Sequence, residues 1–455
     1  MTRKGNWFGF LLASCGLFFG VGIGTFNSFF TFFIRNFSEL TPDERARVEY
    51  NLNFFFVLGG MVVCLVGSPI YERLGRHTAI LLMLGAEIAV MLAMAIKNIR
   101  LLFALRFCAG FLGCFSTLVA PLLIAETLPE LPAKRYGSLF AAFLTGGIFL
   151  GYCFNGSWTI ELWRVPLMWP LIIEIPKLVL FWRVFDIESP VWMVRNNIPA
   201  QGITDNYRKI YNMDEAIRLT DQVMRAHASR QEESFSFGSL MRRDSRIQLF
   251  LTVLLNLLNQ LTGINFLILY STAIFEKMQL PHPRLLTMGI GALNFVGCLL
   301  LTQLNAVLSM KSLMAWGIFG QALGYCVMLG ALAFGVRPLI PLGPYIYILS
   351  FGLSLGGLIY LYCATLVPSQ ALSGCALFQW VFTCLIALYG KQLTDNFPIE
   401  RIFFVLQAMT TIGGLLFVGF AIDTTDKSPA QIKAEFARKG FFSQDTPSLP
   451  AINER

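Results

Sequence analysis

The string Asn259-Gln260-Leu261-Thr262-Gly263-Ile264-Asn265, followed by Tyr270 and Ser271, packs carboxamides and hydroxyls into an otherwise apolar stretch. A carboxamide donates and accepts at once, so such a cluster can hold a neutral polyol without burying a net charge. The same amides can instead tie helices together inside a membrane. Gly263, in the middle of the string, would let a helix loosen or another backbone come close. Two acids also stand in apolar runs. Glu174 is followed three residues later by Lys177, an i,i+3 pair that can neutralise internally. Glu87 has no partner nearby in sequence, and with Arg106 it is the minority candidate for proton linkage. The 10 cysteines all lie in apolar runs without a C-x-x-C pair, and read as small packing residues. His77, His227 and His282 are too few and too dispersed for a metal site. Neither a metal nor a cofactor is expected. No nucleophile elbow or phosphate loop supports an enzyme.

These residues sit in a chain built for lipid. Of 455 residues, 55% are hydrophobic and 14% charged, against about 25% charged in an ordinary soluble domain. That apolar mass, about 250 residues, is what a dozen bilayer spans of about 20 residues would consume. Hydropathy divides it into two blocks, 7–185 and 247–421, separated by a charged stretch. The first block reads as spans near 7–34, 51–70, 78–96, 99–125, 136–156 and 163–185. The second reads as spans near 247–275, 284–305, 312–335, 340–365, 372–391 and 401–421. The expected organisation is therefore an N-terminal six-helix half (1–185), a loop carrying short helices (186–246), a C-terminal six-helix half (247–421) and a tail (422–455). Two such halves suggest the repeat arrangement in which many secondary transporters rock around a midplane site.

Arg3 and Lys4 precede a first apolar run too long for a signal peptide and without a cleavage pattern, so it is kept as the first span. Lys and Arg concentrate in the segments that share a side with the termini: Arg3, Lys4, Arg73, Arg76, Lys134, Arg135, Lys311, the central loop and the tail. This bias predicts both termini in the cytoplasm. It also accounts for the formal charge of +8 as topology and attraction to the inner leaflet, with no nucleic-acid interface implied. Within the central loop, Ile203, Tyr207, Ile210, Tyr211, Ile217, Leu219 and Val223 recur at helical spacing among charges, as short amphipathic helices would. The tail after Asp423 is polar and expected to end in disorder. Asn36-Phe37-Ser38 is a glycosylation sequon in the first outward loop, and Asn155-Gly156-Ser157 is a weaker one.

The Asn259 to Asn265 string with Tyr270-Ser271 resembles the QQ-x-[ST]-G-I-N signature of the sugar porter family, the glucose-transporter branch of the major facilitator superfamily. Other fragments occur in the order that family requires, from about residue 5 to 435. Glu72-Arg73-Leu74-Gly75-Arg76-His77 resembles its cytoplasmic loop between spans two and three, and Arg106 matches its arginine in span four. Glu126-Thr127-Leu128-Pro129 with Lys134-Arg135, and Glu188-Ser189-Pro190, resemble two further cytoplasmic motifs. Asp423-Thr424-Thr425-Asp426-Lys427 faintly echoes the motif that ends span twelve. The resemblance implies an all-α major facilitator fold of twelve transmembrane helices. It assigns Arg73, Arg76, Glu126, Arg135 and Glu188 to a cytoplasmic gate of salt bridges. It places a sugar on Asn259, Gln260, Asn265 and Asn294, with Gln379-Trp380 in span eleven, Tyr360 at an aromatic floor in span ten, and Thr145 where span five has a glutamine.

The departures carry information too. Between spans eight and nine the repeated basic loop has become Ala306-Val307-Leu308-Ser309-Met310-Lys311. Thr365-Leu366-Val367-Pro368 lacks the acid of its motif, Val191 replaces an arginine, and Gly352 replaces a site glutamate. Proton-linked members carry an aspartate in span one; this chain has Phe18 within Gly16-Leu17-Phe18-Phe19-Gly20-Val21. The expectation is facilitated (uniport) transport of a hexose or related polyol at a plasma membrane, with the sugar and the lipid bilayer as partners. The alternatives are a transporter-like sugar sensor or membrane partner that no longer cycles, motivated by the lost second-half charges, and a proton-coupled symporter through Glu87 or Arg106.

Overall fold

A computed structural model describes residues 2–35, 41–154, 164–230, 246–305, 307–367, 369–424, 427 and 429–438. Both sequons, at Asn36 and Asn155, lie outside the described residues. Among the described residues, eleven helices are long and apolar enough to cross a membrane. The remaining expected span is the helix Ser369–Asn396, whose shorter apolar part runs Leu377–Gly390.

Four of the expected continuous spans are broken in two. Span one is Arg3–Ala13 and Gly16–Arg35, and span six is Val165–Met168 and Leu171–Arg183. Span seven is Arg246–Leu261 and Ile264–Lys277, and span ten is Leu342–Gly352 and Leu355–Leu366. Pro170 at the start of the second piece explains the break in span six. Gly263, with φ 86°, explains that in span seven. The break in span one falls at Ser14-Cys15, just before Gly16, which opens the second piece. There Lys177, from span six, donates to the Ser14 carbonyl at 3.2 Å. It also donates to both oxygens of Glu174 at 2.8 Å. The i,i+3 pair read from the sequence thus forms, and it stabilises a bend on another helix.

Spans two to five are Pro42–Leu74, Arg76–Met94, Ile99–Thr127 and Glu130–Cys153. Span two starts at a capping box: the Glu44 backbone N–H donates to the Thr41 hydroxyl at 3.3 Å, and the Thr41 N–H donates to the Glu44 carboxylate at 2.8 Å. Hydrogen bonds from the Thr41 backbone and hydroxyl hold this carboxyl below its ordinary range. In the second half, spans eight, nine and twelve are Pro283–Leu304, Met310–Ala333 and Ile399–Phe420.

The central loop contributes Pro190–Arg195, Ala200–Arg208 and Met213–Arg230. The first part of its apolar stripe is buried, with Ile203, Tyr207, Ile210 and Tyr211 all under 5% exposed, whereas Ile217 is exposed. The Tyr211 hydroxyl donates to the Thr127 carbonyl at 3.2 Å, docking the loop on the end of span four. Burial pushes this phenol above its ordinary pKa, so it keeps its proton and its donor role. The described part of the tail forms the helix Pro429–Arg438; the end expected to be disordered lies outside the described residues. Ile432 and Phe436, one turn apart, are buried in the second-half core, and Lys427 pairs with Glu435 at 2.5 Å.

Without a hydrophobic drive between helices in lipid, close backbone approach has to supply the packing. Gly16, Gly20 and Gly24 recur every fourth residue on span one and face the backbone of Phe140, Leu144 and Ile148 on span five. A Cβ on Gly20 would stand 1.9 Å from the Leu144 carbonyl oxygen. Gly20→Val should therefore force the two helices apart at a cost of about 3 kcal/mol. The expected result is a lower melting temperature in detergent and loss of the monodisperse peak; an unchanged melt would refute the packing role.

Candidate substrate site

Asn259, Gln260 and Asn265 stand on either side of the break in span seven, about halfway through its length. Gly263 makes this arrangement possible twice over. Its positive φ suits glycine, and a Cβ there would come 2.7 Å from Leu406 and 3.0 Å from the Tyr325 hydroxyl. The break turns the three amides towards one another and towards span eleven. Gln260 Nε2 donates to Asn259 Oδ1 at 3.1 Å, and Asn265 Nδ2 donates to Gln260 Oε1 at 2.6 Å. Gln379 Nε2 donates to Asn259 Oδ1 at 3.3 Å.

Thr383, absent from the sequence reading, completes the group. Its hydroxyl accepts from Asn265 Nδ2 at 2.9 Å and donates to Gln260 Oε1 at 3.1 Å or to the Gln379 carbonyl at 2.9 Å. The available signal was its place one turn after Gln379, on the same face of span eleven. Below it, the Tyr270 hydroxyl donates to the Ala387 carbonyl at 2.8 Å, a second tie between spans seven and eleven. Asn259 and Gln260 are 5% and 2% exposed. The amides therefore satisfy one another, and they do so without an ionised member.

Trp380 carries the group across to the first half. Its indole lies so close to Gly60 of span two that a Cβ there would stand 2.5 Å from the ring. It also lies 6.3 Å from the ring of Phe19 on span one. Asn294 is buried on span eight, and its Oδ1 has no hydrogen-bond partner among the described residues. Thr145 is not brought to the amides: its hydroxyl donates back to the carbonyls of Ala141 at 3.0 Å and Ala142 at 3.1 Å. The same hydroxyl also meets the Cys298 thiol of span eight. The side chain of Tyr360 lies outside the described residues.

The described contacts between halves gather towards the side opposite the termini. The Tyr152 hydroxyl donates to the Ile268 carbonyl at 2.8 Å, and its ring lies against Gly291. Phe295 packs on Gly146.

On the terminal side, charges cluster within the first half. Arg76 is 1% exposed and pairs with Glu126 at 3.0 Å and Glu72 at 3.0 Å. Glu188 accepts from the backbone N–H groups of Arg76 at 2.8 Å and of His77 at 3.1 Å. Ser189 donates to Glu126, and Arg195 pairs with Glu72 at 3.1 Å. Arg76, Glu126 and Glu188 thus converge as the sequence implied, joined by Glu72, Ser189 and Arg195. Arg73 and Arg135 do not. Both are exposed, and among the described residues neither forms an ion pair; Arg135 lies over the ring of its neighbour Tyr136 at 6.0 Å.

Phe18 is buried at the edge of a cavity of about 30 Å³ that Gly22, Thr25 and Arg106 also line. That space is far below the roughly 300 Å³ of a ligand pocket. The Arg106 guanidinium stacks on Phe56 at 4.1 Å and donates to the Gly22 carbonyl at 3.2 Å. Glu87 is fully buried, and its oxygens have no hydrogen-bond partner among the described residues.

Residues 8–436 match the family described as sugar (and other) transporter. The chain is 24% identical over 407 residues to hexose transporter 1 of Toxoplasma gondii, covering 81% of this chain and 69% of that protein. It is 25% identical over 460 residues to the probable metabolite transport protein CsbC of Bacillus subtilis, covering 97% and 96%. Its fold is similar to the inward-open conformation of the xylose transporter XylE from E. coli, with TM-score 0.74 and 17% identity over 94% of this chain and 99% of that one. The chain belongs to the sugar (and other) transporter family: it is a multi-pass membrane protein with the major facilitator fold, a transporter and not an enzyme.

Proposed function

We propose that this chain is a facilitative carrier, a uniporter of a hexose or related polyol, working by alternating access with both termini in the cytoplasm of a cell whose plasma membrane it spans. The observation that carries this reading is the uncharged amide and hydroxyl network of Asn259, Gln260, Asn265, Gln379 and Thr383, placed beside Trp380 where the two halves meet. Each amide bond now made to a neighbour can be exchanged for one to a sugar hydroxyl at nearly constant hydrogen-bond count. Binding therefore leaves no charge to be neutralised. With the termini inside, the contacts of Tyr152 with Gly291 and Ile268 lie on the outward side.

Uniport is favoured because Phe18 stands where a coupling acid is needed, beside an Arg106 that already has an aromatic face and a carbonyl for company. The charged cluster around Arg76 binds the loop helix Pro190–Arg195 to spans two, three and four. It gives the first half a rigid terminal face to rock as one piece.

Radiotracer uptake in cells lacking their own hexose carriers tests the reading, and surface-localised protein that moves no hexose or polyol would refute it in favour of a sensor or partner role. Gln260→Ala removes bonds worth about 1 kcal/mol each and should raise the KM for uptake about tenfold or more; an unchanged KM would remove Gln260 from the site. Uptake should stop at the external concentration and be indifferent to a protonophore. Accumulation abolished by a protonophore would instead establish coupling through Glu87 or Arg106.

A further inference from the structure

In an unbroken helix the Thr262 carbonyl would accept from the amide four residues on. Where span seven breaks, span nine supplies a different donor: the hydroxyl of Tyr325 bonds that carbonyl. Span ten supplies another. The Tyr347 hydroxyl donates to Thr262 Oγ1 at 3.2 Å, and Thr262 Oγ1 in turn donates to the Asn259 carbonyl at 3.3 Å. The two phenol rings lie 4.8 Å apart, and Tyr325 rests against Phe403 of span twelve at 5.6 Å. Thr262 and Tyr347 are 0% exposed and Tyr325 1%. Water does not reach this point, so losing either hydroxyl strands a buried acceptor of the break, the Thr262 carbonyl or Thr262 Oγ1.

Gln260 and Asn265 stand on opposite sides of that break, yet their amides meet at 2.6 Å. Their spacing is a function of the bend, and the bend is tied to two other spans through phenol hydroxyls that make no bond to the amide side chains among the described residues. We propose that Tyr325 and Tyr347 are positioning residues for the sugar: they pin the Thr262-Gly263 break and so set the geometry of the amides that bind it. This rests on the amide network being the sugar site. Phenylalanine would fill the same space and leave the break unpinned, so the hydroxyls rather than the rings carry the role.

The experiment compares Tyr325→Phe, Tyr347→Phe and the double variant with Tyr362→Phe, measuring uptake over a range of glucose concentrations and correcting for surface protein. Tyr362 is an internal control: it is equally buried, and its hydroxyl donates to the Ile422 carbonyl at 2.8 Å, away from the break. The double variant should raise KM about tenfold with little change in maximal rate, while Tyr362→Phe keeps the wild-type KM. A double variant with the wild-type KM, or a Tyr362→Phe that shifts KM equally, overturns the proposal. Thr262→Val provides a second route that keeps volume. If Tyr347 acts through Thr262, Thr262→Val and Tyr347→Phe should be non-additive in KM, and additive effects would count against the clamp. Glucose binding to the purified protein, read by tryptophan fluorescence, separates the two levels. Wild type that binds without flux refutes uniport and leaves the clamp judged by whether Kd rises in the double variant; wild-type flux with unaltered variants refutes the clamp alone.

Discussion

The hydrocarbon interior of a bilayer offers no water to a backbone carbonyl, so a helix can break there only if a donor from elsewhere in the protein is waiting. Much of this structure follows from that requirement. The Ser14 carbonyl is met by Lys177, whose charge is in turn held by Glu174. The Thr262 carbonyl is met by Tyr325. Near the end of span twelve, Ile422 is met by Tyr362. The span-ten break is answered by Ser354, whose hydroxyl donates back to the Ser350 carbonyl at 2.7 Å and accepts from Gln321 at 3.3 Å. The bends in spans one, seven and ten are thereby each owned by two or three helices jointly, and a shift in one is transmitted to the others.

The halves use different chemistry for the same purpose. The first is drawn together by charge at its terminal face, with Arg76 shared between Glu72 and Glu126 and the loop helix clasped by Glu188 and Arg195. It is drawn together by glycine seams within the membrane, where helix backbones touch. The second uses neutral polar groups: amides between spans seven and eleven, and phenols between spans seven, nine and ten. Neutral groups exchange partners at low cost in a dry interior, whereas parting an ion pair there strands a charge. On the proposed reading, the half that binds and releases the sugar is the one built from exchangeable bonds. The other half serves as a firm counterpart.

Individual residues show where sequence reasoning reached and where it stopped. The amides of span seven were legible because a hydrogen-bonding string inside an apolar run has a strong local signature. The Glu174-Lys177 pair was legible because one helical turn guarantees its contact. Gln379 was legible and Thr383 was not, since a lone threonine in an apolar helix usually bonds its own backbone. Thr145 does so, bonding the carbonyls of Ala141 and Ala142. Arg73 and Arg135 belonged to the right motifs, yet Arg76 alone among the arginines of those motifs turns inward. A motif gives the composition of a charged cluster; which member is buried depends on which faces its helix presents to a neighbour.

The sequence by itself determined that this chain lives in a bilayer, that it crosses in two sets of spans around a charged loop, and that its polar residues in the membrane are mostly neutral amides and hydroxyls. These are properties of composition and short spacing, which need no knowledge of what touches what. Only the tertiary structure decided where four spans break, which donors meet the breaks in spans one, seven and ten, which arginine is enclosed, that Thr383 joins the span-seven amides, and that Trp380 reaches Gly60 and Phe19 across the seam between halves. The physical reason is that a hydrogen bond or an ion pair in a low-dielectric interior is decided by geometry to a few tenths of an ångström. That geometry is set by helices far apart in the chain.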